Sequence, residues 1–432
     1  MNLNRAGLKF GASLLAMAMV LASVSILTIT PVSASDDFTL SIYGNANQDD
    51  TIDMRDVTRI ARIICWLDPE VDLADAKYDG AINVGDITQT ELIILGREKE
   101  LTLIDMNDRT VTVNKPIERL VVTHREQFEQ LRSVKVPKDI IIAVERQILT
   151  MDEYKLYFAE YQDLPSIGSC SNPNLEVIVG LRPDAILMGS YGQNTPQHTA
   201  ALEVFESAGI PAIYVHETAT NFVENIRLLG YLFGKKDEAE EYINWRKGLL
   251  NLIRKRVEDI PEEDKPKVYV EWGRRYTTKN EAATRIAAMG GRDIFEGKVS
   301  GDINPEEVAK RNPDIIIIIG GRGSGYITDD VTELKELREE LMSREELQDV
   351  SAVKTGKVYV MSYYITGTGC CHGGRDFVQE AYLAKWFHPE LFEDFDPKAI
   401  HQEYLNRFQG LDWDLDKHGV YVYHPEEHPD GH

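Results

Sequence analysis

The chain is poor in cysteine and in positive charge, and both shortages restrict its class. Four cysteines in 432 residues are too few for a scaffold built on disulfides, so each must be interpreted from its surroundings. Lysine and arginine number 47 against 71 aspartates and glutamates, a formal net charge of −24. This balance disfavours nucleic acid and anionic lipid surfaces as partners, and it favours cationic partners or local docking sites.

Motifs of several enzyme classes are also missing. The chain shows no Walker loop, no G-x-G-x-x-G opening a helix after a strand and no Ser-His-Asp order, and GGRGSG at 320–325 lacks the P-loop lysine. His216 beside Glu217 does not by itself supply a mechanism. The alternatives are a component of a cell-surface complex and, ranked below it, a metal-cluster or chelatase-like enzyme. The sequence favours a protein that binds and does not catalyse.

The N-terminal segment has the features of an export signal. Basic residues precede an apolar run at 11–30, and Val32 and Ala34 then place small residues where signal peptidase reads them. Residues 1–34 are therefore predicted to be a signal peptide, or an uncleaved anchor because the run approaches about 20 residues. No cysteine offers a lipid attachment point. We expect an exported protein, at the cell surface or in a periplasm-like space, associated with membrane only through this segment or a partner.

Residues 38–97 contain two copies of a loop rich in side-chain oxygens. Candidate ligands fall at alternating positions, as in loops that wrap oxygens around one calcium ion. The first copy offers Asn45, Asn47, Asp49, the carbonyl of Thr51, Asp53 and Asp56. The second copy offers Asp75, Asp79, the carbonyl of Ala81, Asn83 and Asp86. Each loop is followed by an apolar helical pattern.

This duplication resembles a type I dockerin domain, and the resemblance implies two calcium sites and a cohesin-like partner. Asp50 stands where the family has a turn glycine, and Lys77 replaces an oxygen ligand of the second loop. The first loop is therefore the better candidate. The alternative is a pair of acidic turns that cap two helices without metal. Cys65, among the apolar residues of the first helix, is expected in the core.

From residue 101 onward, short apolar strands alternate with helical stretches. The strand segments are DAILMGS, PAIYVHE, KVYVEWG, DIIIIIGG and KVYVMSY. This alternation predicts an α/β fold with mainly parallel sheets. A helical pattern from Asn221 to Glu258 predicts one long connecting helix. The expected organisation is two Rossmann-like lobes after the small helical module: residues 101–220, a bridging helix over 221–259, residues 266–408, and a disordered acidic tail over 409–432.

Several segments, in order, carry a more specific resemblance: LPSIGSCSNPNLEVIVGLRPDAILMG, IAAMGGRDIF, GDINPEEVAKRNPDIIIIIGG, SAVKTGKVYV and AYLAKWFHPELF. They are similar to the class III periplasmic binding proteins that serve ABC importers. The resemblance covers nearly all of residues 101–408 and implies a ligand cleft between two α/β lobes. It also implies an ABC permease as partner, and a ligand that is a siderophore-like iron chelate, haem, cobalamin or a related molecule with a transition-metal centre.

Loops after the carboxyl ends of parallel strands line such a cleft. Arginines there would clamp carboxylates, and aromatic rings would stack on a macrocycle or catechol. The N-terminal lobe offers Thr123, His124, Arg125, Ser169, Cys170, Ser190, Tyr191 and His216. The C-terminal lobe offers Trp272, Arg274, Arg275, Tyr276, Arg322, Tyr326, Cys370, Cys371, His372 and Arg375.

The adjacent Cys370, Cys371 and His372 allow three interpretations. They would coordinate a soft or borderline metal, with Cys170 or His124 as further ligands. Alternatively, Cys170 forms a disulfide between the lobes with one of them. In the third interpretation they form a vicinal disulfide or stay as unpaired thiols.

Two glutamates are candidates for contact with a permease. The resemblance implies one such surface residue in each lobe, and Glu176 and Glu306 match these positions, each in the first turn of a predicted helix. Acidic residues also favour helix N-termini through the macrodipole alone, which is the alternative explanation.

Overall fold

The computed structural model describes residues 38–189, 195–215, 221–273, 275–279, 282–365 and 375–432. The N-terminal segment 1–34 lies outside these ranges, and so do several candidate residues: Ser190, Tyr191, His216, Glu217, Arg274, Cys370, Cys371 and His372. Their predicted roles stay predictions.

The first described region is a small module of two helices, α1 (Met54–Ile64) and α2 (Val84–Leu95). Each helix begins at a capping box, formed by Asp53 with Asp56 in α1 and by Asn83 with Asp86 in α2. Cys65 is exposed, so its expected place in the core is wrong. Cys65 is the C-cap residue that ends α1, and Trp66 and Leu67 after it are exposed as well.

The N-terminal lobe begins with an antiparallel hairpin and continues as a four-stranded parallel sheet in the order β4-β3-β7-β8. A short β5-β6 hairpin and five helices complete it. The elements are β1 (Glu100–Ile104), β2 (Thr110–Asn114), β3 (Leu120–Val122), α3 (Arg125–Ser133), β4 (Ile141–Val144), α4 (Arg146–Thr150), α5 (Asp152–Tyr157), β5 (Gly168–Ser169), β6 (Asn172–Pro173), α6 (Leu175–Leu181), β7 (Ala185–Met188), α7 (Pro196–Ser207) and β8 (Ala212–Tyr214).

The connection between the lobes consists of two helices, α8 (Phe222–Phe233) and α9 (Lys236–Val257). The prediction of one continuous helix was wrong. Gly234 adopts a left-handed conformation with φ of 63°, which ends α8 as glycine commonly does. Apolar periodicity continues on both sides of this break, because α8 and α9 pack against each other.

The C-terminal lobe contains a five-stranded sheet in the order β11-β9-β13-β14-β15. The first three pairings are parallel, and β15 is antiparallel to β14. The α/β class and the parallel character predicted from the sequence are thus confirmed. The elements are β9 (Lys267–Trp272), β10 (Thr277–Thr278), α10 (Ala282–Ala288), β11 (Arg292–Asp293), β12 (Gly301–Asp302), α11 (Pro305–Arg311), β13 (Ile315–Gly320), α12 (Thr332–Met342), α13 (Ser351–Thr355), β14 (Val358–Ser362), α14 (Asp376–Phe387), α15 (Pro397–Arg407) and β15 (Val422–Tyr423).

The acidic tail is folded, contrary to the expectation of disorder. Strand β15 adds to the edge of the sheet, with Val422 opposite Met361. Tyr421 is buried, and His424 stacks on Tyr359 with ring centroids 4.7 Å apart. The apolar residues of the tail thus cover an edge strand that would otherwise expose unpaired backbone groups.

The helical module packs directly on the rest of the chain. Its N-terminal segment continues the β1-β2 hairpin through a bridge between Ile42 and Leu103. Asp50, the residue at the turn position, accepts a hydrogen bond of 2.8 Å from Arg227 of α8, and both side chains are largely buried. The backbone N–H of Ile52 donates to the Tyr231 hydroxyl at 2.9 Å. The aspartate at position 50, where the resemblance predicts glycine, therefore holds the helical module to α8.

Candidate functional site

Aromatic and cationic side chains meet at the carboxyl ends of β9, β13 and β14. The Lys279 ammonium lies 4.3 Å from the centre of the Trp272 ring, and the Arg322 guanidinium lies 4.7 Å from that of Tyr363. The two rings contact edge to face, with centroids 6.2 Å apart. We call Trp272, Lys279, Arg322 and Tyr363 the aromatic-cation cluster. Both pairs have cation-π geometry.

Part of this cluster borders a cavity of about 290 Å³. The cavity opens where β9 and β13 end in glycines, at Gly273 and at Gly320 with Gly321. Its lining includes Arg322 and Tyr363 of the aromatic-cation cluster. The position agrees with the rule that open α/β sheets bind ligands beyond the carboxyl ends of their strands.

Two of the predicted aromatic ligand residues are buried, Tyr276 in the C-terminal lobe and Tyr326 against Tyr157 of the N-terminal lobe. Tyr276 is 7% exposed and donates its hydroxyl hydrogen to Glu346 at 2.7 Å. Tyr326 is 3% exposed, and its hydroxyl lies 2.8 Å from Nε2 of His401. Lys279 and Tyr363 were missed by the sequence analysis, although both lie close to strand ends, where the other candidates were sought.

The N-terminal lobe also gathers polar side chains at its strand ends. Thr123 and His124 follow β3 and are buried. His124 lies so close to Gly189 that a Cβ at that position would come within 2.6 Å of the histidine Cβ. Arg125 opens α3 and donates a hydrogen bond of 2.7 Å to Gln147. Gly189 thus allows the loops after β3 and β7 to pack tightly.

Cys170 lies in the β5-β6 turn beside Ser169 and is a free thiol. Its predicted disulfide partners, Cys370 and Cys371, lie outside the described residues, so the disulfide between the lobes stays a prediction. Burial raises the pKa of the Cys170 thiol, and the nearby Glu145 carboxylate raises it further. His198, which sequence reasoning missed, approaches the carbonyl of Cys170 at 3.4 Å.

Arg375, predicted to contact ligand, lies completely buried between the lobes. Its Nη2 is 3.0 Å from Oε1 of Glu129 on α3 and 3.8 Å from Oε1 of Glu153 on α5. The guanidinium also packs on the rings of Tyr157 and Tyr326, at 4.7 and 5.3 Å. We call Arg375, Glu129 and Glu153 the interlobe charge cluster.

The carboxylates of the interlobe charge cluster accept few hydrogen bonds. Oε2 of Glu129 accepts one from the hydroxyl of Tyr404 at 3.1 Å. Among the described residues, neither carboxyl oxygen of Glu153 has a hydrogen-bond partner. Burial accordingly raises the pKa of Glu153 to about 8, against the opposing effect of Arg375. Burial and Arg375 also lower the pKa of the adjacent His401 to about 3, so that this imidazole is neutral.

Glu176 and Glu306 occupy equivalent places in the two lobes. Each is exposed in the first turn of a seven-residue helix, α6 or α11, and each helix is capped by an asparagine. Glu307, the neighbouring candidate, is less exposed and pairs with Arg311 of its own helix at 3.4 Å. The geometry therefore favours Glu306 over Glu307 as the available carboxylate.

Two absences hold for the described part of the chain. No helix there is long and apolar enough to cross a membrane. No group of three or more His, Cys, Asp or Glu side chains lies together there as a metal site.

The protein has two lobes, each built on a mainly parallel sheet with helices, and the two lobes are joined by helices. Side chains gathered at the strand ends are typical of a two-lobed binding protein. The family model named periplasmic binding protein matches residues 121–364, more than half of the chain, and the chain belongs to this family. The family consists of solute-binding proteins, and not of enzymes.

Individual relatives agree with this assignment. The molybdate-binding protein MolA of Haemophilus influenzae is 20% identical over 328 residues, which cover 71% of this chain and 90% of that protein. The iron-uptake system-binding protein of Bacillus subtilis is 22% identical and covers 62% of this chain and 81% of its own length. The crystal structure of the TroA-like periplasmic binding protein FepB from Veillonella parvula superposes with a TM-score of 0.62 at 25% identity, covering 75% of this chain and 99% of that one. These relatives place the chain among the solute-binding proteins of ABC transporters.

Proposed function

We propose that this protein captures an anionic, metal-centred ligand outside the cytoplasm and delivers it to an ABC permease. A siderophore-like ferric chelate is the ligand class that fits best. The observation that carries this proposal is the aromatic-cation cluster, which places two positive charges on two aromatic rings at the strand ends of the C-terminal lobe.

The net charge of −24 repels anions from most of the surface. A site for an anionic ligand therefore needs local positive charge. Lys279 and Arg322 supply it beside a cavity whose lining contains three arginines and three glutamates. The Trp272 and Tyr363 rings add apolar faces on which a catechol or macrocycle would stack. Relatives named for iron uptake and molybdate bind metal-containing species, which supports the same class.

Delivery would depend on the two matching surface carboxylates. Glu176 and Glu306 would pair with cationic groups of the permease, one from each lobe. Such pairs across an interface mainly direct the encounter and the orientation of the partners.

We further propose that the first loop of the helical module binds one calcium ion. Oδ1 of Asn45 is buried and has no hydrogen-bond partner among the residues that the structure describes, and Asp56 is fully buried. Burial, with the Asp49 and Asp53 charges, raises the pKa of Asp56 to about 6. A divalent cation would supply charge to these oxygens, together with Asn47 and the carbonyl of Thr51. The cohesin-like partner stays a prediction.

The test of the ligand class is a tryptophan fluorescence titration with ferric enterobactin, haem and sodium molybdate. We expect saturable binding of the ferric chelate. Arg322→Gln should weaken it roughly tenfold, since one charge-assisted hydrogen bond contributes about 1.5 kcal/mol. Lys298→Gln, an exposed cation of the same lobe, should leave the affinity unchanged. Failure of all three probes, or equal loss in both variants, would refute the proposal.

A further inference from the structure

The two loops of the helical module have the same backbone arrangement but different cations available to them. In the first loop, the Asp56 carboxylate accepts hydrogen bonds from the backbone N–H groups of Asn47 at 3.0 Å and Asp53 at 2.8 Å. In the second, Asp86 accepts the equivalent bonds from Lys77 at 3.0 Å and Asn83 at 2.8 Å. Because the two loops share these backbone hydrogen bonds, Asn47 in the first loop and Lys77 in the second occupy equivalent positions.

Lys77 brings its own positive charge into the second loop. Its Nζ donates to Oδ2 of Asp79 at 2.9 Å. The side chain also folds over the start of α2, because a Cβ at Gly85 would lie 2.9 Å from Cδ of Lys77 and 3.6 Å from its Nζ.

The first loop has a neutral side chain at the same position. The Asn47 amide donates to Oδ2 of Asp49 at 2.7 Å and accepts from the backbone N–H of Asp49 at 3.0 Å. Arg55, in the first turn of α1 and not at the ligand position that Lys77 occupies, pairs with Asp49 at 3.0 Å and with Asp53 at 2.9 Å, and its side chain is 52% exposed against 47% for Lys77. Within the described residues, Oδ1 of Asn45 in the first loop is buried without a hydrogen-bond partner.

We infer that Lys77 is the built-in cation of the second loop, so that this loop takes up no divalent ion. A metal ion entering there would have to displace the ammonium from Asp79 or bind next to it against charge repulsion. The residues of the second loop thus do not fit the calcium site that the duplication suggested. The module then has at most one divalent site, and in the second loop the Lys77 ammonium takes the place of the ion beside Asp79.

The experiment is a reciprocal exchange at the two equivalent positions in the full protein. Calcium stoichiometry is measured by isothermal titration calorimetry, with terbium luminescence and the calcium-induced change of Tm as independent readouts. Wild-type protein should bind one ion per chain, Lys77→Asn two, and Asn47→Lys none. Lys99→Asn, an exposed lysine outside both loops, should still bind one. Circular dichroism verifies that each variant keeps its helices.

The outcomes separate this inference from the calcium proposal for the first loop, on which the count of one ion in the wild type rests. No ion in the wild type but one in Lys77→Asn would support the role of Lys77 and refute the first-loop site. Two ions in the wild type, or no additional ion in Lys77→Asn, would overturn the inference.

Discussion

We expect the free energy of unfolding to depend on pH through the buried carboxyl of Glu153. A single substitution at this position should remove that dependence. The Glu153 residue is 1% exposed, and its carboxyl oxygens have no hydrogen-bond partner in the part of the chain that the structure describes. Burial raises its pKa from an ordinary value near 4.5 to about 8. The native state thus binds this proton more tightly than the unfolded state. Its full contribution to stability is present below about pH 4.5 and is lost progressively up to about pH 8.

The magnitude follows from linkage. Each pH unit between these two pKa values costs about 1.4 kcal/mol for a group that is protonated only in the native state. Between pH 5 and pH 7, the Glu153 carboxyl should therefore reduce the free energy of unfolding by about 3 kcal/mol. Glu153→Gln keeps a neutral group of similar shape at the site, so this loss should disappear.

The assay is urea unfolding of wild type and Glu153→Gln at pH 5, 6 and 7. Other groups also titrate in this range, and the difference between the two proteins isolates the Glu153 contribution. Glu118→Gln, at an exposed glutamate, is the control and should follow the wild-type slope. If the free energy of unfolding changed with pH by the same amount in wild type and Glu153→Gln, the buried carboxyl would not have the raised pKa on which this prediction rests.

The remaining predictions concern the module and the permease. Asp50→Ala should lower the free energy of unfolding by about 2 kcal/mol, because it leaves the buried Arg227 guanidinium without one partner; a change below about 0.5 kcal/mol in urea unfolding would contradict this. Glu176→Lys and Glu306→Lys should each reduce transport in reconstituted permease vesicles while ligand affinity stays at the wild-type value. Glu307→Lys should affect transport less, since Glu307 is paired on its own helix, and an effect equal to that of Glu306→Lys would reverse the assignment.

The predictions that succeeded depended on local patterns. Strands such as 185–188 and 315–320 are continuous apolar runs between turn residues, and such runs predict buried strands from the sequence alone. The break at Gly234 had a local signal, a glycine before two lysines, but the apolar period on both sides concealed it. The acidic composition of the tail led to the wrong prediction of disorder. The apolar residues at 420–423 order the tail, because they form a strand that pairs with a strand distant in sequence.

Local order along the chain determined the α/β class, the strands, the loops at their ends and the duplication in the helical module, because hydrophobic periodicity and turn chemistry act between near neighbours. Only the tertiary structure decided what each charged residue meets. Arg375 had been assigned to a ligand, yet folding buries it against Glu129 and Glu153 from the opposite lobe. Asp50 had counted as a defect in a loop, yet it holds the module to α8. Burial and ion pairing depend on residues far apart in sequence, and these distant neighbours give a charged side chain its role.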